Sequence, residues 1–329
     1  MVDISVIIPI YGVEKYIEKC LRSLFAQTKT DGVEFILVND CTKDKSMEIV
    51  DTVLFSFSDL DVRIINKEQN EGLAAARQSG MDIARGEYVM HIDSDDWVEP
   101  TMLEDMFRKA QETTPDIVIV DYLIEYSFKT HYVKCGIETS DQLVALKNLV
   151  SGCESCSLCN KMIKRSLYVD NNIRGKKGLN MFEDFFITAK LFVVAKKIDY
   201  INNAYYHYFC SNTESITKTF SQIFINNLFE VMDNVEIYLR EKKHIDIVEH
   251  EFSFKKIEMK FNLLVRSEGK SQKSYASIYP EVTKLIFKHP NMSMTWKIYT
   301  YLASIGLLIL ANKFKKLVIV VKKIVRRSI

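Results

Sequence analysis

Four apolar runs separated by helical stretches constrain this chain more than any other feature. Ile4–Ile10 (I-S-V-I-I-P-I), Val33–Asn39, 62–66 and 87–92 each read as a short strand, the first two apolar enough to be buried on both faces. Pro9 stands at the end of the first, where a ladder donor is dispensable. Between the strands, Tyr16, Ile17, Cys20, Leu21, Leu24 and Phe25 recur at helical spacing within 13–27. Helices are likewise predicted over 42–57 and 71–85, the latter stopped by Gly86. Strands alternating with helices of this length imply right-handed crossovers and a mostly parallel sheet flanked by helices, an α/β fold. Loops beyond the strand C-termini then converge on one rim, where ligands bind. Tyr11, Asp40, Asn70 and Asp93 to Asp96 fall at that rim.

The last of those loops is chemically the sharpest. Tyr88-Val89-Met90-His91-Ile92 runs straight into Asp93-Ser94-Asp95-Asp96-Trp97, three carboxylates within four residues. Such crowding costs self-repulsion, which a bound cation or a nearby Lys or Arg offsets. An acidic turn capping the following helix is the plainer alternative, and the motif by itself does not choose between them.

Beyond Pro100 the sequence predicts a helix to about Thr113, a fifth strand over 116–122, a helix over 143–150, a helix over 182–195 opening with Glu183-Asp184, and an aromatic strand over 198–209. Residues 127–177 carry weak periodicity. Amphipathic helices are expected over 223–239, 247–265 and 282–289, so the last third forms a helical region.

Taken in order, Ser5-Val6-Ile7-Ile8-Pro9-Ile10-Tyr11, Val38-Asn39-Asp40, Asn70-Glu71-Gly72 with Ala75-Ala76-Arg77, Gly86-Glu87-Tyr88, Asp93-Ser94-Asp95-Asp96 and Glu183-Asp184 closely resemble family 2 glycosyltransferases. These are inverting enzymes of the Rossmann-like GT-A fold that use nucleotide-sugar donors. The resemblance is strong over residues 4–122 and fair from 160 to 217. It implies a GT-A domain over 1–217, with a nucleotide-sugar-binding half (1–122) and an acceptor-side half (123–217), then a helical region over 218–290.

The resemblance also implies roles. Pro9, Ile10 and Tyr11 would surround the base of a UDP-sugar, with Asp40 accepting from the uracil imide. Asp95 would hold Mn2+ or Mg2+ on the departing diphosphate, with Asp93 near the ribose and the metal's water shell. Asn70 and Ser94 belong to the same donor-side set, and Asp96 would approach the sugar hydroxyls. Arg77 would face the diphosphate or hold the carboxylate cluster, a task suited to its fixed charge and forked donors; the plainer reading is a structural ion pair. Asp184 would be the general base that takes the acceptor proton, with Glu183 raising its pKa. Without the resemblance, both would read as first-turn acids favoured by the helix dipole. Lys161, after Asn160, would touch donor or acceptor. Gly12, Asn39 and Cys159 depart from the family's usual Asn, Asp and Trp, which leaves the donor pose open.

Rival signals are weaker. Cys153, Cys156 and Cys159 form C-x-x-C-x-x-C, but Ile163 stands where a ferredoxin-type run needs its fourth Cys, so free thiols are expected. His207 reads as a packed histidine in an aromatic strand rather than a metal ligand. No G-x-G-x-x-G follows the first strand and no P-loop is present, which argues against a dinucleotide oxidoreductase and a P-loop NTPase.

Charge singles out the C-terminus. From residue 291 onward there are eight Lys and Arg and no Asp or Glu, leaving 36 basic against 43 acidic residues in the body. The apolar run 296–311 is short for a membrane span. Residues 291–329 are therefore expected to lie on an anionic membrane surface, with no nucleic-acid partner, unless the apolar part packs on the body or in a homodimer. Met1-Val2-Asp3 lacks the basic start of a signal peptide. The expected setting is cytoplasmic, peripheral on the inner face of the cell membrane, beside a lipid-linked glycan acceptor. A non-catalytic nucleotide-sugar-binding subunit serving a partner enzyme is the alternative.

Overall fold

The structure, a computed structural model, describes residues 2–135, 141–211 and 221–327, the last seven as backbone. The expected alternation opens it: β1 (Ile4–Ile10), α1 (Ile17–Phe25), β2 (Val33–Asn39), α2 (Ser46–Phe55), β3 (Asp61–Asn66), α3 (Leu73–Ile83) and β4 (Tyr88–His91). Strand β1 is buried along its length because it is the inner strand of this group, parallel to both neighbours, with Ile7 beside Ile36 and His91. Ile17, Cys20, Leu21, Leu24 and Phe25 turn the buried face of α1 onto one side of the sheet.

The second half is mixed. It contains β5 (Trp97–Val98), α4 (Met102–Thr113), β6 (Ile117–Tyr126), β7 (Lys129–Val133), α5 (Gln142–Ser151), β8 (Lys161–Lys164), α6 (Arg165–Asp170), α7 (Glu183–Val194) and β9 (Ile198–Phe209). Strand order is β3-β2-β1-β4-β8-β6-β9-β5, with β7 paired to β6 as a hairpin. The fifth strand of the sequence reading, β6, does not join β4 directly. The four residues of β8 lie between them, antiparallel to both, while β9 runs parallel to β6.

Two glycines set where α3 lies. A Cβ on Gly80 would come within 2.5 Å of Ile7 Cγ2, so its absence lets the helix rest on the sheet. Gly72 enters the helix at φ 88°, and a Cβ there would meet the Asn180 amide at 2.3 Å. The entry is closed from outside the helix: Asp40, just beyond β2, accepts the Glu71 amide at 3.0 Å and the Gly72 amide at 2.8 Å. The same packing holds Arg77, on the second turn of α3, at the sheet's C-terminal rim.

The chain divides into two compact units, residues 1–149 with 153–244, and residues 150–152 with 245–329. Helix α8 (Gln222–Glu241), capped by Ser221, belongs to the first, where the sequence reading had grouped it with the helical region. The expected domain boundary after residue 217 lies outside the described residues. The second unit holds α9 (Ile245–Arg266), α10 (Gly269–Ala276), a 3-10 helix over Pro280–Lys288 where an amphipathic α-helix was expected, α11 (Met294–Ser304) and α12 (Leu308–Arg327). The apolar run 296–311 is not one interfacial helix. It breaks at Gly306 (φ 86°), and α11 buries Tyr299, Thr300 and Ala303 within this unit, joined by Leu264 and Ala311 in one apolar cluster. No helix among the described residues is long and apolar enough to cross a membrane.

Candidate active site

A cleft of about 680 Å3 opens at the rim predicted from the strand order. The tip of β1 supplies Pro9, Ile10, Tyr11 and Gly12, and the loop after β2 supplies Asp40. Asn70 and Arg77 come from the approach to α3 and from the helix itself. Asp93, Ser94 and Asp95 come from the loop after β4, and Glu183 with Asp184 from the first turn of α7. Residues far apart in the chain thus share one cavity because three parallel strands end on the same edge.

Arg77 ties the two acidic groups together. Its guanidinium, only 6% exposed, donates to Asp93 Oδ1 at 2.6 Å, Asp184 Oδ1 at 2.6 Å and Glu183 Oε1 at 3.0 Å. Burial works against its charge, but Asp184, Asp93 and Glu183 together raise its pKa above the ordinary arginine value. The forked donors let one side chain satisfy carboxylates from two elements, which an ammonium could not do in the same geometry. His91, behind it on β4, is pushed down to about 3 by burial and then by Arg77, so it is neutral.

The carboxylates on the α7 side are held partly out of water. Burial raises the Asp184 pKa, Arg77 pulls it back, and Asp93 raises it again. Its second oxygen accepts the Leu158 amide at 3.3 Å. Burial followed by the Asp184 charge brings Glu183 up to about 7. Such values suit a group that exchanges protons near neutrality. The acids in the first turn of α7 are therefore more than dipole companions, since both point at Arg77.

Not every residue singled out in the sequence reaches the cleft. Asp96 turns away from it: it is 1% exposed and accepts from the Tyr206 hydroxyl and the Phe209 amide. Burial, then Asp95 and Asp93, raise its pKa well above the carboxylate range. It anchors the acidic loop to β9 instead of lining the cleft, where an approach to sugar hydroxyls was expected of it. Lys161 is fully buried on β8, and its amine bonds the Ser155 and Ser157 carbonyls rather than the cleft. His207 is wedged between Glu125 and Glu99 at 2.9 and 2.8 Å and stacks on Trp97.

The cleft also has walls that motif reading passed over. Tyr122, Tyr206 and Tyr208 line it from β6 and β9, and Ser155, Cys156, Ser157 and Cys159 from the loop before β8. The period-two placing of Tyr206 and Tyr208 is a sequence signal for one face of a strand. The serine and cysteine loop stood out only through the Cys153, Cys156 and Cys159 spacing, which does not signal a cleft wall. Of its cysteines, Cys153 is exposed, Cys156 half-buried and Cys159 buried.

The mixed sheet, its rim cleft and the helical C-terminal region are those of a GT-A fold. A crystal structure of a TarS segment from Staphylococcus aureus, in complex with UDP-GlcNAc, superposes with a TM-score of 0.74 at 20% identity, covering 95% of this chain and 90% of that one. The sequence model of Glycosyl transferase family 2 matches residues 5–170, and the chain belongs to that family. It is 34% identical over 213 residues to EpsH of Bacillus subtilis, which is named as a glycosyltransferase, covering 62% of this chain and 60% of EpsH. It is 31% identical over 216 residues to the glycosyltransferase GlyG of Streptococcus pneumoniae, covering 62% and 70%. The chain spans less still of GlyA from the same species, 30% of its length.

Proposed function

We propose that this chain is a metal-dependent, inverting glycosyltransferase that moves a sugar from a UDP-sugar to a hydroxyl of a lipid-linked surface glycan. The observation that carries the reading is the Arg77 bridge, which brings a donor-side acidic loop and a partly buried carboxylate pair into one cleft. Pro9, Ile10 and Tyr11 take the base, with Asp40 beside it. Asp184 accepts the acceptor's proton as its oxygen attacks the anomeric carbon, and the nucleoside diphosphate leaves from the opposite face. Arg77 keeps Asp184 ionised and oriented. A TarS crystal complex holds UDP-GlcNAc, which makes UDP-GlcNAc the first donor to test.

The residues fit a divalent ion shared with the substrate. Among the described residues no group of three His, Cys, Asp or Glu side chains could hold a metal. Ions of the Mg2+ type are commonly held by one or two carboxylates together with substrate phosphates. Asp93 and Asp95 both line the cleft, Asp93 held there by Arg77, while Asp96 turns to Tyr206. Asp95, with Asp93 beside it, would hold the ion, which would neutralise charge on the departing diphosphate. A mannosyltransferase of the same fold, from Pyrobaculum calidifontis (TM-score 0.54, 13% identity), is described in complex with GDP-Man and Mn2+.

The test is UDP release from a panel of UDP-sugars with Mn2+, with Mg2+ and with chelator, first in water and then with acceptor extract. Release from one donor that needs the ion and rises with extract is the expected result. UDP binding with no release from any donor would turn the reading to a non-catalytic subunit.

The second unit suits a lipid surface through one face of α12. Ala311 turns inward, while Ile309, Leu310, Leu317 and Val320 are exposed together with Lys313 and Lys316. Apolar side chains interleaved with lysines, in a segment without acids, complement an anionic interface. Full-length protein should sediment with phosphatidylglycerol vesicles, not with phosphatidylcholine vesicles. The pair Ile309→Ser and Leu317→Ser should weaken that binding at least about a hundredfold, given roughly 1.5–3 kcal/mol for each buried large apolar side chain. Undiminished sedimentation of the double variant would reject the surface.

A further inference from the structure

Lys161 is among the largest fully buried side chains in the protein, and nothing in a sugar-transfer mechanism uses its amine directly. A buried ammonium is costly unless all three of its protons are taken. Here they are: Nζ donates to the Ser155 carbonyl at 2.8 Å, the Ser157 carbonyl at 2.9 Å and Asn160 Oδ1 at 3.0 Å. Its counter-charge is the buried Glu154, 3.6 Å away. Burial brings the Glu154 carboxyl up to about 7, against the pull of Lys161, and one of its oxygens has no hydrogen-bond partner. Glu154 thus faces the ammonium from within the core, close enough to pair with it when ionised.

The carbonyls that Lys161 collects belong to a loop that lines the cleft. Drawing the Ser155 and Ser157 carbonyls inward leaves the next amide, Leu158 N–H, to point the other way, and it donates to Asp184 Oδ2 at 3.3 Å. The loop is tied a second time by Thr188 Oγ1, one turn along α7 from Asp184, which donates to the Cys156 carbonyl at 2.8 Å. Asn160 fixes the far end, donating to Val120 O on β6 at 2.7 Å. The strand β8, the loop and the first turns of α7 are thus one hydrogen-bonded block with the ammonium at its centre.

We infer that Lys161, with Glu154, is a positioning residue: it locks the Ser155–Cys159 loop so that the Leu158 amide holds the Asp184 carboxylate and the loop forms the acceptor-side wall. This rests on Asp184 being the general base only for its catalytic consequence; the structural lock stands without it. The acceptor side is thereby set by a rigid wall, while the β1 and β2 loops bind the nucleotide independently of it.

Hydrogen exchange of the full chain reads the lock directly. In Lys161→Met, amides of 155–159 should exchange at least about tenfold faster while those of β1 keep their rate. UDP affinity should stay within about twofold, because the nucleotide side is untouched. UDP release from the best donor should fall at least about tenfold, and the acid limb of its pH profile should move up, since Asp184 loses an N–H donor that favours its ionised form. Unchanged exchange in 155–159, or UDP affinity falling in step with turnover, would overturn the inference. Should Lys161→Met loosen the whole first unit, Glu154→Gln decides: loop-confined acceleration supports the lock, and parent-like exchange rejects it. Full turnover in Asp184→Asn beside a loosened loop in Lys161→Met would sink the general base and leave the lock standing.

Discussion

Asparagine at Asp184 is expected to reduce sugar transfer by about a thousandfold, within the range removed when a general base is lost. The substitution keeps the volume of the side chain and one acceptor oxygen, so the Leu158 amide can retain its partner while the side-chain NH2 left facing Arg77 can no longer accept from it. UDP affinity, measured by calorimetry, should change by less than about twofold, because the β1 tip and Asp40 reach the cleft from elements other than α7. In the parent enzyme, turnover should fall on acidification along a limb placed above the ordinary carboxylate range, since burial raises the Asp184 pKa. In Asp184→Asn that limb should disappear along with the activity. Turnover within tenfold of the parent, with the limb retained, would assign the base elsewhere, and Glu183 would be the next carboxylate to replace.

That the strand-tip rim of the cleft was legible in the sequence has a physical cause. β1 and β2 are nearly unbroken apolar runs, so their ends, and the loops carrying Tyr11 and Asp40, were fixed by composition alone. The Arg77 placement needed one more fact, that Gly80 lets α3 sit on Ile7. Its bond to Asp184, 107 residues away, could be anticipated only through the family resemblance.

What was not legible is equally specific. Three adjacent acids look alike in sequence, and only the fold turns Asp96 towards Tyr206 while leaving Asp95 in the cleft. The family resemblance gave Lys161 a substrate role, and its burial was not visible because β8 is a strand of four residues, too short to show a period. The apolar part of the tail read as lipid-facing because hydrophobicity cannot distinguish a protein partner from a membrane. Packing on the body was the open alternative, and the run divides: Tyr299 and Ala303 pack with Leu264, while Ile309 and Leu310 stay exposed on α12.

Removing the charge at Arg77 should cost more than removing any single carboxylate it binds. Arg77→Met leaves Asp93, Glu183 and Asp184 facing one another without a cation, and breaking such a group destabilises by roughly 3–5 kcal/mol when buried, less here in proportion to the partial exposure of the acids. The loss should depend on pH in a defined direction. Without the guanidinium, the folded-state pKa values of Asp184 and Glu183 rise further above their unfolded values, so the folded state binds more protons than the unfolded one between the two. Stability of Arg77→Met should therefore rise as pH falls from about 8 towards 5, the opposite of what ordinary salt-bridged carboxylates produce. Activity should fall at least a hundredfold at neutral pH, with its acid limb displaced upward because Asp184 is harder to ionise. Arg77→Lys restores a charge but not the fork, so it can hold one arm of the bridge at a time. It should recover most of the stability and little of the turnover. If thermal unfolding and transfer recovered together in Arg77→Lys, the guanidinium would be acting as a charge alone, and the geometric link between the acidic loop and α7 would carry no catalytic weight.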